Sequence, residues 1–337
     1  MNDVAFPLLL VAVASVFQGS FGLGMKNHKP LSWEAWWLVY SAVAMVLLPL
    51  AWALAVVPDL ASSIAAAPGD AVVKGALFGF LWGVGGILFG LSVAHVGMSL
   101  TYGIVMGLAS AGGSLVPLAQ IPDASSRPAF PYVLAGVALM IVGVVIAAWA
   151  GVRRDRLLSP QGSAAAASFR TGLIIAIASG VLSALLNVGF ANAAPVAKKA
   201  TEFGALTRNS SLAAWVVVLF GAFLMNAGYA GWLLLKNRSA GSFSNPGAGR
   251  ALGWAALTGV LWFAALGVYG QGAALMGSLG PVIGWPMLLA LALIVSNAWA
   301  LYAGEWKGAP GPFRVMLAGV AVLILACVLL GYSNSLL

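Results

Sequence analysis

Runs of roughly 20 apolar residues recur from one end of the chain to the other, and they constrain its fold more than any other feature. A helix of that length crosses a hydrocarbon core of about 30 Å. The composition agrees, because 62% of the residues are hydrophobic and only 7% are charged, whereas a soluble domain carries about a quarter charged residues. We therefore expect an all-α membrane protein without a separate soluble domain.

The apolar runs predict ten transmembrane helices, with ends uncertain by about two to four residues. They are predicted at 4–24, 33–57, 73–94, 98–118, 131–151, 171–192, 209–235, 252–273, 281–303 and 313–333. The segment Pro195–Arg208 is predicted to be a loop with a helical-looking stretch. The first run lacks a preceding basic residue and a cleavage site, so we expect a retained helix and not a signal peptide. Cys327 is the only cysteine, which excludes an intrachain disulfide.

The distribution of basic residues predicts the orientation, because cytoplasmic loops keep an excess of Lys and Arg. Odd-numbered loops hold eleven of these residues and even-numbered loops hold five. Both termini are therefore expected in the periplasm of a multi-pass inner-membrane protein. A net charge of +8 is interpreted as a topology signal in short loops, and not as a surface for nucleic acid.

An internal repeat relates the third predicted helix to the eighth. Residues 77–97 and 257–277 share seven identities in twenty-one positions without a gap, including Trp82 with Trp262 and three pairs of glycines. The charged segment from Arg153 to Arg156 divides the chain into halves 1–156 and 157–337, each with five helices. Because five is odd, the second half enters the membrane from the opposite side. Two inverted five-helix repeats are typical of alternating-access transporters, whose sites lie between the halves.

Ionisable side chains within the spans are candidates for ion coupling, because their burial in lipid is costly. Glu34 at the start of helix two is the candidate for a coupling proton, ahead of Glu305 at the end of helix nine. The alternative interpretation is that each is an interfacial anchor beside tryptophan and lysine. His95 is interpreted as a solvated loop residue.

Neutral polar and aromatic side chains within the spans favour a neutral substrate such as a sugar, which needs amide partners and an aromatic surface. Amides and hydroxyls also join helices in lipid, so each residue has a structural alternative. Helix nine opens with Gly280-Pro281 and then Gly284-Trp285-Pro286, and these prolines predict freed carbonyls that face a cavity, unless both prolines lie in the first helical turn. The predicted substrate-binding residues are Gln18, Trp82, Asn187, Trp262, Tyr269, Gln271, Trp285 and Asn297.

Motifs for ATP hydrolysis, zinc-dependent hydrolysis or a Ser/His/Asp triad are not found in the sequence. We therefore predict a protein that is not an enzyme, with no catalytic residue, no metal ligand and no cofactor. A proton gradient is the predicted energy source.

The sequence resembles the L-rhamnose–proton symporter family of the drug/metabolite transporter superfamily. The resemblance rests on Ser32-Trp33-Glu34, Phe80-Leu81-Trp82-Gly83, Gly97-Met98-Ser99, Gly284-Trp285-Pro286 and Gly304-Glu305-Trp306-Lys307-Gly308-Ala309. It implies ten helices in two inverted repeats and proton-coupled import of L-rhamnose or a related deoxy sugar. The alternatives are an exporter or exchanger of another small metabolite, and a non-transporting membrane sensor or channel. The expected partners are a small sugar, protons and membrane lipid, and the chain is expected to be a monomer or homodimer.

Overall fold

The computed structural model describes residues 5–158 and 166–336, and this part of the chain is helical without a β-strand. Ten of its helices are long and apolar enough to span a membrane. They are α1 (Ala5–Met25), α2 (Trp33–Val56), α3 (Gly69–Val96), α4 (Met98–Gln120), α5 (Phe130–Leu158), α6 (Ala166–Asn192), α7 (Thr207–Lys236), α8 (Ala248–Leu275), α9 (Gly280–Tyr302) and α10 (Pro310–Asn334). Short helical segments lie at Leu60–Ala65, Ala124–Ser126, Ala194–Glu202, Ser239–Ser244 and Gly277–Leu279. The prediction of ten spans is confirmed.

Two of the long helices are irregular. The helix α1 breaks at Phe21, between Ala5–Ser20 and Gly22–Met25. The helix α2 contains a wider π-helical turn at Val43–Leu47. Such turns often mark functional sites in transmembrane helices.

Two helix ends and one loop differ from the prediction by more than four residues. The helix α6 begins at Ala166 and not at residue 171. The helix α5 continues to Leu158 and not to residue 151, so Arg153 and Arg154 lie in its last turns. Cations at a helix C-terminus interact favourably with the partial negative charge of the unpaired carbonyls, which explains why the charges do not end the helix. The predicted loop from Pro195 contains the separate helix Ala194–Glu202, with its proline in the first turn where no amide donor is needed.

The odd-numbered connections gather at one end of the bundle and the even-numbered connections at the other. At the odd-loop end, Lys26 pairs with Glu305 across loops 1 and 9. At the even-loop end, the Arg127 guanidinium donates to the Ser278 hydroxyl across loops 4 and 8. This arrangement is the one expected when ten helices cross a membrane in alternating directions.

The helices pack in two matching sets. In the first set α6 packs on α3 and α4, and in the second set α1 packs on α8 and α9. Each helix of one set corresponds to the helix five places away in the other. The pairs α2 with α7, α4 with α9 and α5 with α10 also contact each other. The inverted repeat stays a prediction, and this pattern of packing supports it.

Paired glycines of the internal repeat lie in equivalent structural positions. A Cβ atom on Gly79 would lie 1.9 Å from the Val218 carbonyl oxygen of α7, and one on Gly259 would lie 2.9 Å from the Val43 side chain of α2. Both glycines therefore allow a close helix crossing. Gly97 and Gly277, with φ of 84° and 65°, follow α3 and α8 in the left-handed region that glycine tolerates.

Candidate functional site

A cavity of about 510 Å³ lies between the two sets of helices. Helices α3, α4 and α6 form one wall, α1, α8 and α9 form the other, and α2, α5 and α7 complete it. This volume lies within the range of small-molecule sites in proteins. A smaller recess of about 230 Å³ between α2, α3 and α7 is lined by apolar side chains.

Aromatic rings form much of the cavity wall. Trp82 of α3 and Trp262 of α8 stack with ring centroids 5.4 Å apart and an interplanar angle of 28°. The Tyr40 ring of α2 meets Trp262 edge to face at 6.2 Å. These three rings present flat apolar surface to the cavity, as is suited to the C–H face of a sugar.

Amide side chains supply polar groups beside the rings. Gln18 of α1 lines the cavity, and its Oε1 atom is buried without a hydrogen-bond partner among the described residues. Asn297 of α9 also lines it and donates its Nδ2 hydrogen to the Leu293 carbonyl. Asn226 of α7 is held in place because its Oδ1 accepts a 3.0 Å hydrogen bond from the Trp37 indole. A buried acceptor without a donor costs free energy, so Gln18 is a candidate to accept from a ligand hydroxyl.

A polar cluster around Asn187 closes the cavity at the even-loop end. The Asn187 Nδ2 donates to the Gly113 carbonyl at 2.7 Å and to the Pro281 carbonyl at 2.9 Å. Its Oδ1 accepts from the Tyr269 hydroxyl at 2.6 Å. The Trp285 indole, which faces the cavity, donates to the Ala109 carbonyl. The side chain of Asn187 therefore joins α6 to α4, α8 and α9.

Two prolines explain why carbonyls in this cluster need side-chain donors. Pro117 in α4 and Pro286 in α9 have no N–H, so the carbonyls of Gly113 and Val282 lose their intrahelical partners. Asn187 donates to the first carbonyl, and the Ser114 hydroxyl donates to the second at 2.6 Å. The prediction that a carbonyl freed in α9 faces the cavity is therefore wrong for Val282, because a neighbouring helix satisfies it.

Charged side chains surround the cavity at the odd-loop end. Glu305 lines the cavity and pairs with Lys26 at 3.1 Å and with Arg154 at 3.5 Å. Arg154 also pairs with Asp155 and lies over the Trp306 ring, 4.9 Å from its centroid. The Glu305 side chain is 39% exposed, so the cavity reaches solvent beside this cluster.

Glu34 lies apart from the cavity at the start of α2. Its Oε1 accepts hydrogen bonds from the Asn237 amide and the Ser239 hydroxyl, which belong to the loop between α7 and α8. The residue is 7% exposed, and no cation of the described chain lies within ion-pair distance of it. Trp37, one turn further along α2, lines the cavity and links Glu34 to the site through the helix.

The family model "L-rhamnose-proton symport protein (RhaT)" matches residues 2–335. The chain belongs to the RhaT family. Members of this family are transporters and not enzymes, and with ten apolar helices this member is a multi-pass inner-membrane protein.

Curated relatives in the RhaT family match the chain over nearly its whole length. The L-rhamnose-proton symporter of Yersinia pestis (strain Pestoides F) is 27% identical over 339 residues, 98% of each chain. The symporter of the same name from Mannheimia succiniciproducens is 24% identical and covers 95% of each chain. A solved crystal structure of a protein is similar in fold, with a TM-score of 0.60 and 15% identity over 96% of this chain and 95% of the other.

The structure brings together five of the eight substrate-binding residues predicted for this RhaT family member. Gln18, Trp82, Trp262, Trp285 and Asn297 line the cavity. Asn187 and Tyr269 lie in the closed cluster beside it. The Gln271 amide donates to Asn209 Oδ1, away from the cavity.

Tyr40 and Trp37 line the cavity and were not among the predicted site residues. The three-residue spacing of Trp37 and Tyr40 places them on one face of α2. The residues between them are also largely apolar, so the sequence has no contrast that identifies this face as the one toward the cavity. Asn226, a polar residue within a span, also lines the cavity and is not among the predicted site residues.

Proposed function

We propose that this protein imports L-rhamnose or a related neutral deoxy sugar together with protons across the inner membrane. The observation that carries the proposal is the cavity between the two matching sets of helices, with the repeat partners Trp82 and Trp262 stacked in its wall. Membership of the RhaT family and the names of the relatives support the choice of sugar and ion.

The chemistry of the cavity wall supports a neutral ligand with one apolar face. The stacked rings suit C–H groups and the methyl group of a 6-deoxy sugar, and the amides of Gln18 and Asn297 suit its hydroxyls. We propose these residues and Trp285 as the substrate contacts, with Tyr40 in addition. The two charged residues that line the cavity, Arg154 and Glu305, pair with each other.

Glu34 is our candidate for the proton-carrying carboxylate. Protonation of a proton-carrying carboxylate must not leave a cation without its partner, and the side-chain partners of Glu34 are neutral donors. Glu305 by contrast pairs with two cations, Lys26 and Arg154, and each would lose its partner charge if Glu305 were neutral. Protonation of Glu34 would change its bonds to the loop between α7 and α8, and α2 would transmit the change to Trp37 in the cavity wall.

We propose alternating access between two inverted repeats as the transport mechanism. The matching packing of α1, α8 and α9 with α6, α3 and α4 supports it. The predicted division at residues 156 and 157 falls just before the end of α5 at Leu158. We further propose, from the basic residues of the odd loops, that the odd-loop end and its cavity mouth face the cytoplasm and both termini face the periplasm.

Uptake of labelled L-rhamnose into proteoliposomes tests this function. We expect accumulation against a gradient when an inward proton gradient is imposed, and only equilibration without it. Competition with L-mannose, which carries a hydroxymethyl group where L-rhamnose carries a methyl group, measures the contribution of the apolar wall. Outward-directed accumulation would identify an exporter, and a flux that neither saturates nor shows counterflow would identify a channel.

A further inference from the structure

We infer that the cluster formed by Asn187, Tyr269, Ser114 and Trp285 is the gate that separates when the cavity opens toward the even-loop end. This inference rests on the proposed transport function and assigns to Asn187 and Tyr269 a gating role in place of the predicted contact with the sugar. Asn187 and Tyr269 are each 0% exposed, so in this structure the gate is closed and dry.

The hydrogen bonds of the gate connect the two walls of the cavity. Asn187 belongs to the wall of α3, α4 and α6, and it bonds to Tyr269 and the Pro281 carbonyl in the wall of α1, α8 and α9. Ser114 bonds from α4 to Val282 of α9, and Trp285 bonds from α9 to Ala109 of α4. Four hydrogen bonds therefore cross the plane along which the two walls must separate.

Pro286 allows one of the contacts between the two walls to break and form again. A carbonyl that is already bonded within its helix gains little from a neighbour, whereas the Val282 carbonyl depends on Ser114 because Pro286 has no N–H. When the walls separate, this carbonyl lines a water-filled cavity, which is where unpaired backbone is tolerated at membrane depth. Water then replaces the Ser114 hydroxyl as the donor.

The bond from Asn187 to the Gly113 carbonyl has a different role, because both residues lie in the same wall. It satisfies the carbonyl that Pro117 leaves unpaired. It also fixes the Asn187 side chain on α4, so that the second Nδ2 hydrogen and the Oδ1 acceptor face Pro281 and Tyr269 in the opposite wall. Asn187 is therefore a positioning residue whose geometry is prepared before the gate closes.

The two ends of the cavity differ in chemistry. At the even-loop end buried neutral hydrogen bonds join the walls, while at the odd-loop end the cavity reaches solvent beside the ion pairs of Glu305. The structure therefore represents a conformation open toward the odd loops and closed toward the even loops. The complementary conformation requires the Asn187 cluster to come apart.

The test measures cavity access from each side with a cysteine reporter. Ser183 of α6 lines the cavity, and the single native thiol, Cys327, is buried, so Ser183→Cys in a Cys327→Ala background reports on the cavity. A membrane-impermeant maleimide is applied to right-side-out and inside-out vesicles of the full-length protein. Tyr269→Phe and Asn187→Ala are compared with the parent. Because Tyr269→Phe keeps the buried ring, it still tests the gate if Asn187→Ala does not fold.

We expect Tyr269→Phe to raise the labelling rate from the even-loop side by roughly three- to thirtyfold, as loss of one interhelical hydrogen bond shifts the equilibrium. Asn187→Ala removes two bonds that cross between the walls and should raise this rate at least as much. Labelling from the odd-loop side should fall. Ser179→Ala is the matched control, because its buried hydroxyl bonds from α6 to the Gly85 carbonyl within the same wall. We expect that variant to label like the parent.

An unchanged labelling rate in folded Tyr269→Phe would overturn the proposal that this cluster is the gate. An equal change of the labelling rate in Ser179→Ala would overturn it too. A loss of L-rhamnose affinity in detergent without a change in labelling would instead make Asn187 and Tyr269 substrate contacts. Labelling does not require transport, so the gate can be tested even if wild-type protein shows no L-rhamnose flux, which would reject only the proposed substrate.

Discussion

Trp82 and Trp262 stack on each other with ring centroids 5.4 Å apart, although they are 180 positions apart and occupy the same place in the two halves of the sequence. Two equivalent residues of a two-fold repeat touch only where they lie near the axis that relates the halves. In the proposed inverted repeat the stacked pair would lie near this axis, and a substrate bound beside it would contact both halves at once.

The stacked pair is predicted to contribute directly to sugar binding. Trp262→Ala and Trp82→Ala remove flat surface from the cavity wall, and aromatic pairs contribute about 0.5–1.5 kcal/mol beyond their buried area. We expect each variant to weaken L-rhamnose binding by about tenfold, measured by titration calorimetry in detergent. Trp149→Ala is the control, because its ring is 56% exposed on the outer surface. Equal affinity in all three variants would contradict the proposed site.

Gln18 is predicted to lower the stability of the empty protein while strengthening its complex with the sugar. Its Oε1 has no partner among the described residues, and a buried unpaired acceptor costs about 1–3 kcal/mol. Gln18→Leu should therefore keep or raise the Tm of the sugar-free protein and reduce the affinity for L-rhamnose. Ser15→Ala, one turn earlier with its hydroxyl bonded to the Val11 carbonyl, should leave the affinity unchanged. A lower Tm with normal affinity for Gln18→Leu would show a purely structural role.

Glu34 and Glu305 are predicted to respond differently to removal of their charge. With Glu34→Gln we expect loss of gradient-driven accumulation in proteoliposomes while sugar exchange without a gradient persists. The measurement is the ratio of the two initial rates.

Glu305→Gln is the matched control for this experiment. Its partner Lys26 has a side chain that is 69% exposed, and exposed ion pairs contribute only about 0–1 kcal/mol. We expect this variant to retain accumulation within a fewfold of wild type. Normal accumulation in Glu34→Gln would show that Glu34 only anchors the loop between α7 and α8. Loss of accumulation in Glu305→Gln would assign the coupling role to Glu305 at the mouth of the cavity.

The close crossing of α3 and α7 is predicted to depend on Gly79. A methyl group there would lie 1.9 Å from a backbone oxygen of α7, which cannot move without the helix, whereas a methyl group on Gly90 of the same helix meets nothing within 4 Å. We expect Gly79→Ala to lose most of the folded protein seen by size-exclusion chromatography. Gly90→Ala should fold normally, because alanine is the better helix former. Similar yields of the two variants would show that the crossing can relax.

Much of the fold could be predicted because the signals for it are local. The length and hydropathy of each run decide whether a helix can cross the membrane, and the breaks at Gly97 and Gly277 depend on a residue type that tolerates positive φ. The end of α5 was predicted too early because Arg153 and Arg154 were treated as loop residues. A helix C-terminus stabilises cations, so the sequence becomes charged at Arg153 although the helix continues to Leu158.

The cavity could be predicted only in part, because a polar side chain in a span has no fixed environment. Gln18 and Asn187 are both amides within apolar helices, yet the first lines the cavity and the second is saturated by α4, α8 and α9. Helices in lipid are apolar on most faces, so no amphipathic stripe shows which face packs against a neighbour. Which carbonyl an amide meets depends on how the helices cross.

The sequence by itself determined the class of the protein, its ten spans and the internal similarity that relates Trp82 to Trp262, because each of these depends on composition, run length or identity between two segments. Only the tertiary structure decided which end of the cavity is closed. That end is closed by contacts of Asn187 with Tyr269 and with the Pro281 carbonyl, and by the contact of Ser114 with the Val282 carbonyl. Those partners come from helices far apart in the chain, and only packing brings them within hydrogen-bond distance.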